Sequence, residues 1–207
     1  MNPRKYRELN KEFSPTYYLT LISIIQSLAL GAFLAYSKLD YLYGQKISLL
    51  YYSESIIIFT IILFVWHEYS MSTSCLRWDF NIIDSLLPFL FGITQFFLII
   101  LRNNEQLSIS WISFLCVITV LTFLAYYNQN VKAIKYDENK LVYSKLGNKL
   151  KNETYLFVGV TFLFWTGYLL LVLFGYRFDE VFLIISSIVL FYFGYFRGRI
   201  WKKIFHL

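Results

Sequence analysis

Three observations predict an all-α, polytopic membrane protein: a six-transmembrane-helix bundle with both termini on the cytoplasmic side. Of the 207 residues, 57% are hydrophobic and only 15% charged, and the mean hydropathy is +0.52, a balance foreign to water-soluble domains. The apolar residues gather into six runs, each long enough for a hydrocarbon core of about 30 Å, which a helix crosses in roughly 20 residues. Lys and Arg sort onto alternate connections between those runs.

The spans fall at about 16–36, 47–66, 80–101, 107–127, 155–175 and 181–201. The first lies in an uncharged stretch from Phe13 to Ser37. That stretch exceeds the roughly 7–15 residues of a signal-peptide core, and no small-x-small cleavage site follows it, so it reads as a retained span. The second ends at Phe64-Val65-Trp66, and the third carries Asp84 and Pro88. The fourth and fifth are uncharged, and the sixth holds Arg197 and Arg199 near its end.

With the N-terminus inside, 15 of the 19 Lys and Arg residues face the cytoplasm: Arg4, Lys5, Arg7, Lys11, Arg77, Lys132, Lys135, Lys140, Lys145, Lys149, Lys151, Arg197, Arg199, Lys202 and Lys203. The outer side keeps Lys38, Lys46, Arg102 and Arg177, balanced by Asp40, Glu105, Asp179 and Glu180. A five- or seven-span chain would strand the last basic group on the wrong face. Tyr17, Tyr18, Tyr51, Tyr52, Trp66, Tyr69, Trp78, Tyr126, Tyr127, Tyr155, Tyr176 and Trp201 sit at the span ends, at headgroup level, where a ring with a polar tip is best satisfied. The expected location is the cell (inner) membrane, as one transmembrane domain over 1–207.

Short connections predict that consecutive helices are antiparallel neighbours. The one sizeable loop, 128–154, carries Lys132, Lys135, Lys140, Lys145, Lys149 and Lys151, with Leu141, Val142, Leu146 and Leu150 spaced for a surface-lying helix. Those lysines can enforce topology, grip anionic lipid or dock a soluble cytoplasmic protein. No nucleic-acid partner is expected. The sequon at Asn152-Glu153-Thr154 falls on the cytoplasmic side and reads as chance.

Helices in lipid associate through small residues and polar side chains. Ser23, Ser27, Gly31 and Ala35 form such a stripe on the first span, with Gln26 beside it, and Gly194 and Gly198 stand in GxxxG spacing on the sixth. They predict packing within the chain or in a homo-oligomer.

Ionisable residues within spans are costly, about 2.5 to 3.5 kcal/mol at the centre, and so mark candidate sites. Glu54 lies roughly 10 Å deep from the outer end, and Asp84 about 6 Å deep from the inner end, by the helical rise. Pro88 removes the donor for the Asp84 carbonyl and is a candidate hinge. Around them gather His67, Glu68 and Arg77, with Gln26 and Gln95 as further polar candidates for an ion path. If the second helix runs past Trp66, Glu54 and Glu68 share one face, about 40° apart. The structural alternative pairs Arg77 with Asp79, Asp84 or Glu68 and leaves His67 at the headgroups.

Catalytic and metal templates fail. His67-Glu68-Tyr69-Ser70-Met71 lacks the second imidazole of HExxH, no GxSxG or phosphate-binding glycine loop is present, and Cys75 and Cys116 lie in no CxxC. No catalytic residue, metal or cofactor is assigned. Three readings remain: an oligomeric, ion-conducting channel, ranked first; a non-transporting sensor or adaptor that docks a soluble partner through its basic loop and tail; and, third, a lipid-modifying enzyme working through His67, Glu68 and Asp84.

Overall fold

The computed structural model describes residues 3–42, 48–78, 81–102 and 106–206, with the backbone alone for 3–15, 40–41, 148–150 and 205. The predicted span starts at 47 and 80, and Lys46, Asp79 and Glu105, lie outside the described residues. So do the side chains of Arg4, Lys5, Arg7, Lys11, Asp40, Lys149 and Leu150.

The described chain is all-helical: α1 (Pro3–Leu42), α2 (Leu49–Cys75), α3 (Ile82–Ile100), α4 (Ile109–Ala133), α5 (Lys140–Asn148), α6 (Thr154–Leu173) and α7 (Asp179–Phe205). All but α5 are long and apolar enough to cross a membrane. Their outward faces carry Leu28 (70% exposed), Leu163 (70%) and Ile188 (62%), a surface suited to hydrocarbon rather than water. These features are those of a multi-pass membrane protein.

Caps set the helix starts. Ser48 accepts from the Tyr51 amide and Ser108 from the Trp111 amide, each relieving one orphan donor. The end of α3 is closed by side chains, because Trp111 Nε1 donates to the Leu98 carbonyl and Arg102 Nε to that of Ile99. At the end of α6, Gly175 takes φ +88°, and Tyr176 N–H returns to the Leu171 carbonyl in a Schellman turn.

Helix α2 extends nine residues beyond the expected end at Trp66. No Gly or Pro interrupts 67–75, and the hydroxyls there fold back on the helix: Thr73 donates to the Tyr69 carbonyl at 2.9 Å and Ser74 to that of Ser70 at 2.8 Å. The polar run is thereby satisfied without leaving the helix.

The core centres on Ile57, Ile58, Ile61 and Ile62 of α2, against Leu87, Phe91 and Leu98 of α3, Trp111 and Leu115 of α4, Trp165 of α6 and Phe182 of α7. Helix order in space is not chain order. The most extensive pairings include α2 with α7 and α1 with α3, whereas α6 and α7 approach little along their backbones. Consecutive spans are nevertheless neighbours, as their short connections predict, α6 and α7 meeting through side chains more than backbones. Stacked rings hold α6 and α7 apart: Phe157 on Phe193 at 4.3 Å and Tyr168 on Phe182 at 4.0 Å between centroids.

The α1–α3 approach rests on Gly92, where a Cβ would lie 2.6 Å from the Ile25 side chain. The expected stripe behaves differently. Ser27, Gly31 and Ala35 face outward, Ser23 is half-buried, and no atom of a neighbouring element lies within 4 Å of a Cβ built at Gly31. Gly194 faces Phe64 of α2 at 4.0 Å, and Gly198 opens to free space.

The loop expected at 128–154 is a folded cap. Helix α4 continues to Ala133, a 3-10 turn spans Asp137–Asn139, α5 lies across the end of the bundle, and a π turn (Lys149–Glu153) leads into α6. Val142, Tyr143 and Leu146 pack with Tyr18, Leu76, Trp78, Ala133, Ile200 and Trp201. That contact gathers the ends of α2, α4 and α7 against Tyr18 of α1 at one basic end of the molecule.

Candidate functional site

Just inside the basic end, three helices converge on one carboxylate. Glu68 Oε2 accepts from Tyr126 Oη at 2.8 Å and from Arg197 Nε at 2.9 Å, and lies 2.7 Å from Arg197 Nη2. Its Oε1 accepts from Trp201 Nε1 at 2.9 Å. Arg197 Nη1 donates to Thr154 Oγ1 at 3.0 Å, and the guanidinium lies 4.8 Å from the Tyr126 ring centroid and 4.9 Å from that of Trp201. Glu68 is 6% exposed and Arg197 1%. A buried ion pair persists when hydrogen bonds satisfy its remaining atoms, and here Tyr126, Trp201 and Thr154 supply them. The arrangement joins α2, α4, α6 and α7 and engages both oxygens of the acid.

Asp84 belongs to a second assembly. It is the third residue of α3, and it forms a capping box: Asp84 N–H donates to Asn81 Oδ1 at 3.2 Å, and Asn81 N–H to Asp84 Oδ2 at 2.8 Å. Asn128 Nδ2 donates to its Oδ1 at 2.6 Å, and Lys132 Nζ to its Oδ2 at 2.6 Å. Asp84 thus fastens α4 to the helix start, where the dipole also favours a negative charge. Pro88 is buried one turn further along in the same helix.

The cap is fastened by Asn139, which accepts from the Arg77 amide at 3.0 Å and donates from Nδ2 to the carbonyls of Arg77 and Ala133, each at 2.6 Å. Tyr143 Oη donates to Asn130 Oδ1 at 2.8 Å, and burial raises this phenol's pKa above the ordinary value, keeping it a donor. Lys140 faces Asp137 at 2.8 Å on the exposed side, which lowers the carboxyl pKa and raises that of the ammonium. Lys151 lies 5.7 Å from the Tyr143 ring centroid.

The other candidate residues are dispersed. Glu54 is fully buried beside Ser55, which accepts from Arg102 Nη1 at 2.9 Å near the opposite end. Gln26 and Gln95 are buried with side-chain amides that have no hydrogen-bond partner among the described residues. His67 points away from Glu68, into an apolar groove with Phe33, Phe59, Phe64 and Phe191. The Arg77 side chain is exposed, while Glu68 takes Arg197 and Asp84 takes Lys132 in its stead. Two interior cavities of about 30 and 40 Å³ border Tyr126 and Trp165 respectively; such volumes hold roughly one or two waters each.

Sequence reasoning passed over Tyr126, Asn128, Asn139, Thr154, Arg197 and Trp201 as site residues. Two signals were legible. Arg197 and Trp201 stand one turn apart, and Asn81-x-x-Asp84 has the spacing of a capping box. In comparisons with known proteins, no family model, curated protein or solved structure matches this chain.

Proposed function

We propose that the protein is a non-transporting membrane adaptor whose cap, residues 134–153, presents a docking surface to a soluble partner in the cytoplasm, with both termini on that side. The observation that carries this reading is the consumption of polar groups within the chain. Glu68 and Asp84 have their oxygens engaged by Arg197, Tyr126, Trp201, Lys132, Asn128 and Asn81. Gln26, Glu54 and Gln95 are buried inside the single chain. A pore between subunits would need ionisable groups on the outer faces of the spans, which among the described residues carry mainly apolar side chains such as Leu28, Leu163 and Ile188.

The cap, by contrast, is anchored through Asn139 and Tyr143 and displays Ile134 and Leu141, 47% and 48% exposed, with Lys135 and the Asp137–Lys140 pair. Exposed apolar residues amid charge suit a protein interface better than a purely topological signal.

Affinity capture with the intact protein in nanodiscs tests this. A stoichiometric partner is expected, and it is lost from the Ile134→Ser/Lys135→Gln/Leu141→Ser variant while thermal unfolding of the bundle is unchanged. Retention of the partner by that variant counts against the reading. Ion flux in proteoliposomes that responds to Glu54→Gln would favour the conducting channel instead.

A further inference from the structure

The last turns of α7 are two-faced. Arg197, Ile200, Trp201 and Ile204 are buried in the bundle, while Tyr195, Arg199, Lys202 and His206 repeat at helical spacing on the other side. That second side, with Lys203 and Gly198, forms one wall of a cleft of about 930 Å³, and Lys145 and Leu146 of α5 form the other. Lys145, Arg199, Lys202 and Lys203 supply four positive charges, and no acidic residue is among the described residues that line the cleft. Gly198 leaves its floor open, since a Cβ there would meet nothing within 4 Å. Arg199 lies 5.8 Å from the Tyr195 ring centroid.

The same stripe continues from the cleft into the membrane-spanning part of α7. Ile188, Tyr192 and Tyr195 precede Arg199 at helical intervals, and all three are more than half exposed. One continuous face is therefore cationic at the end of the helix and apolar along its span. Its complement is an amphiphile with an anionic head and a hydrocarbon tail.

We propose that this cleft is a binding site for an anionic phospholipid, the phosphate held by Lys145, Arg199, Lys202 and Lys203 and an acyl chain laid along Tyr195, Tyr192 and Ile188. Charge complementarity and the apolar run below it select this occupant over a soluble anion. A purely topological role for these basic residues depends on their number and side of the membrane, and is indifferent to an open floor at Gly198. The inference does not rest on the adaptor reading, whose test leaves the cleft residues unaltered.

Titration of the purified full-length protein in neutral detergent distinguishes the alternatives. Phosphatidylglycerol is expected to bind saturably, one per chain, at least about ten-fold tighter than phosphatidylcholine, and far tighter than inorganic phosphate. Gly198→Leu, which keeps every charge but fills the cleft, weakens phosphatidylglycerol about ten-fold or more, and Lys202→Gln/Lys203→Gln does likewise. Lys38→Gln, an exposed position at the opposite end of the molecule, leaves it unchanged. Equal unfolding midpoints establish that the variants are folded, and Lys202→Gln serves alone if Gly198→Leu is not. Unaltered affinity in both cleft variants overturns the proposal. So does inorganic phosphate binding as tightly as the lipid, which marks a simple anion site, or an acidic peptide that binds more tightly and displaces the lipid, which marks a protein-docking surface.

Discussion

Among the described residues, Arg197 is the only basic side chain that is fully buried. A guanidinium buried beside Glu68, with Tyr126 and Trp201 against it, is stable only as a complete set. Removing one partner leaves the other charge without compensation, at a cost of about 3–5 kcal/mol. Arg197→Met or Glu68→Gln is therefore expected to lower the thermal unfolding midpoint in detergent strongly. The Glu68→Leu/Arg197→Met double variant, which removes both charges, should lose less than the sum of the two. Singles that match the wild type, or a strictly additive double, would contradict the coupling. This pair was half legible in the sequence: both residues are visible as rare charges near span ends, but 129 positions separate them. Pairing Arg77 with a nearby acid was the natural inference from proximity along the chain. For Glu68 and Asp84 the fold overrides it, because α2 and α7 pack side by side and Lys132 of α4 reaches Asp84; Asp79 lies outside the described residues.

At the scale of helices, the small-residue rule did not find the glycine of the α1–α3 contact. A stripe on α1 was conspicuous through repetition, yet the close approach occurs at the isolated Gly92, where Ile25 occupies the space a side chain would need. Gly92→Leu should destabilise by about 1–3 kcal/mol through overpacking. Gly31→Leu, with open space around it, is expected to leave the unfolding midpoint nearly unchanged. Equal effects at the two positions would mean that the α1–α3 contact is not as described. Periodicity cannot tell these cases apart, because a helix face turned to lipid and one turned to a neighbour are both apolar. The lengths of the helices were read more reliably. Misses were concentrated where polar residues continue a helix: α1, which runs from Pro3 to Leu42, α2 through Cys75 and α4 through Ala133.

Across the whole molecule, two polar layers and a cap bind the spans at the basic end, while Arg102 and Asp179 tie the opposite one. Asp179 accepts from the Leu107 amide at 3.1 Å and from the Tyr168 hydroxyl, and Arg177 donates to the Leu107 carbonyl at 3.0 Å. Asn139 hydrogen-bonds the cap to both α4 and the α2–α3 connection. Asn139→Ala is expected to speed hydrogen exchange across 134–148 by roughly ten-fold or more, the effect of losing hydrogen bonds worth about 1.5 kcal/mol or more, with the spans unaffected. Uniform exchange in the two proteins would show that packing alone holds the cap. The amino-acid sequence by itself determined the material of this protein: six helices of membrane length, their approximate positions and the basic loop, because hydropathy and helical rise are properties of contiguous residues. Only the tertiary structure decided which acid meets which base, which glycine is crowded, and that the loop is a folded cap. Those contacts join residues far apart in the chain, and within an apolar environment many alternative helix arrangements bury the same surface, so side-chain fit and hydrogen bonding select among them.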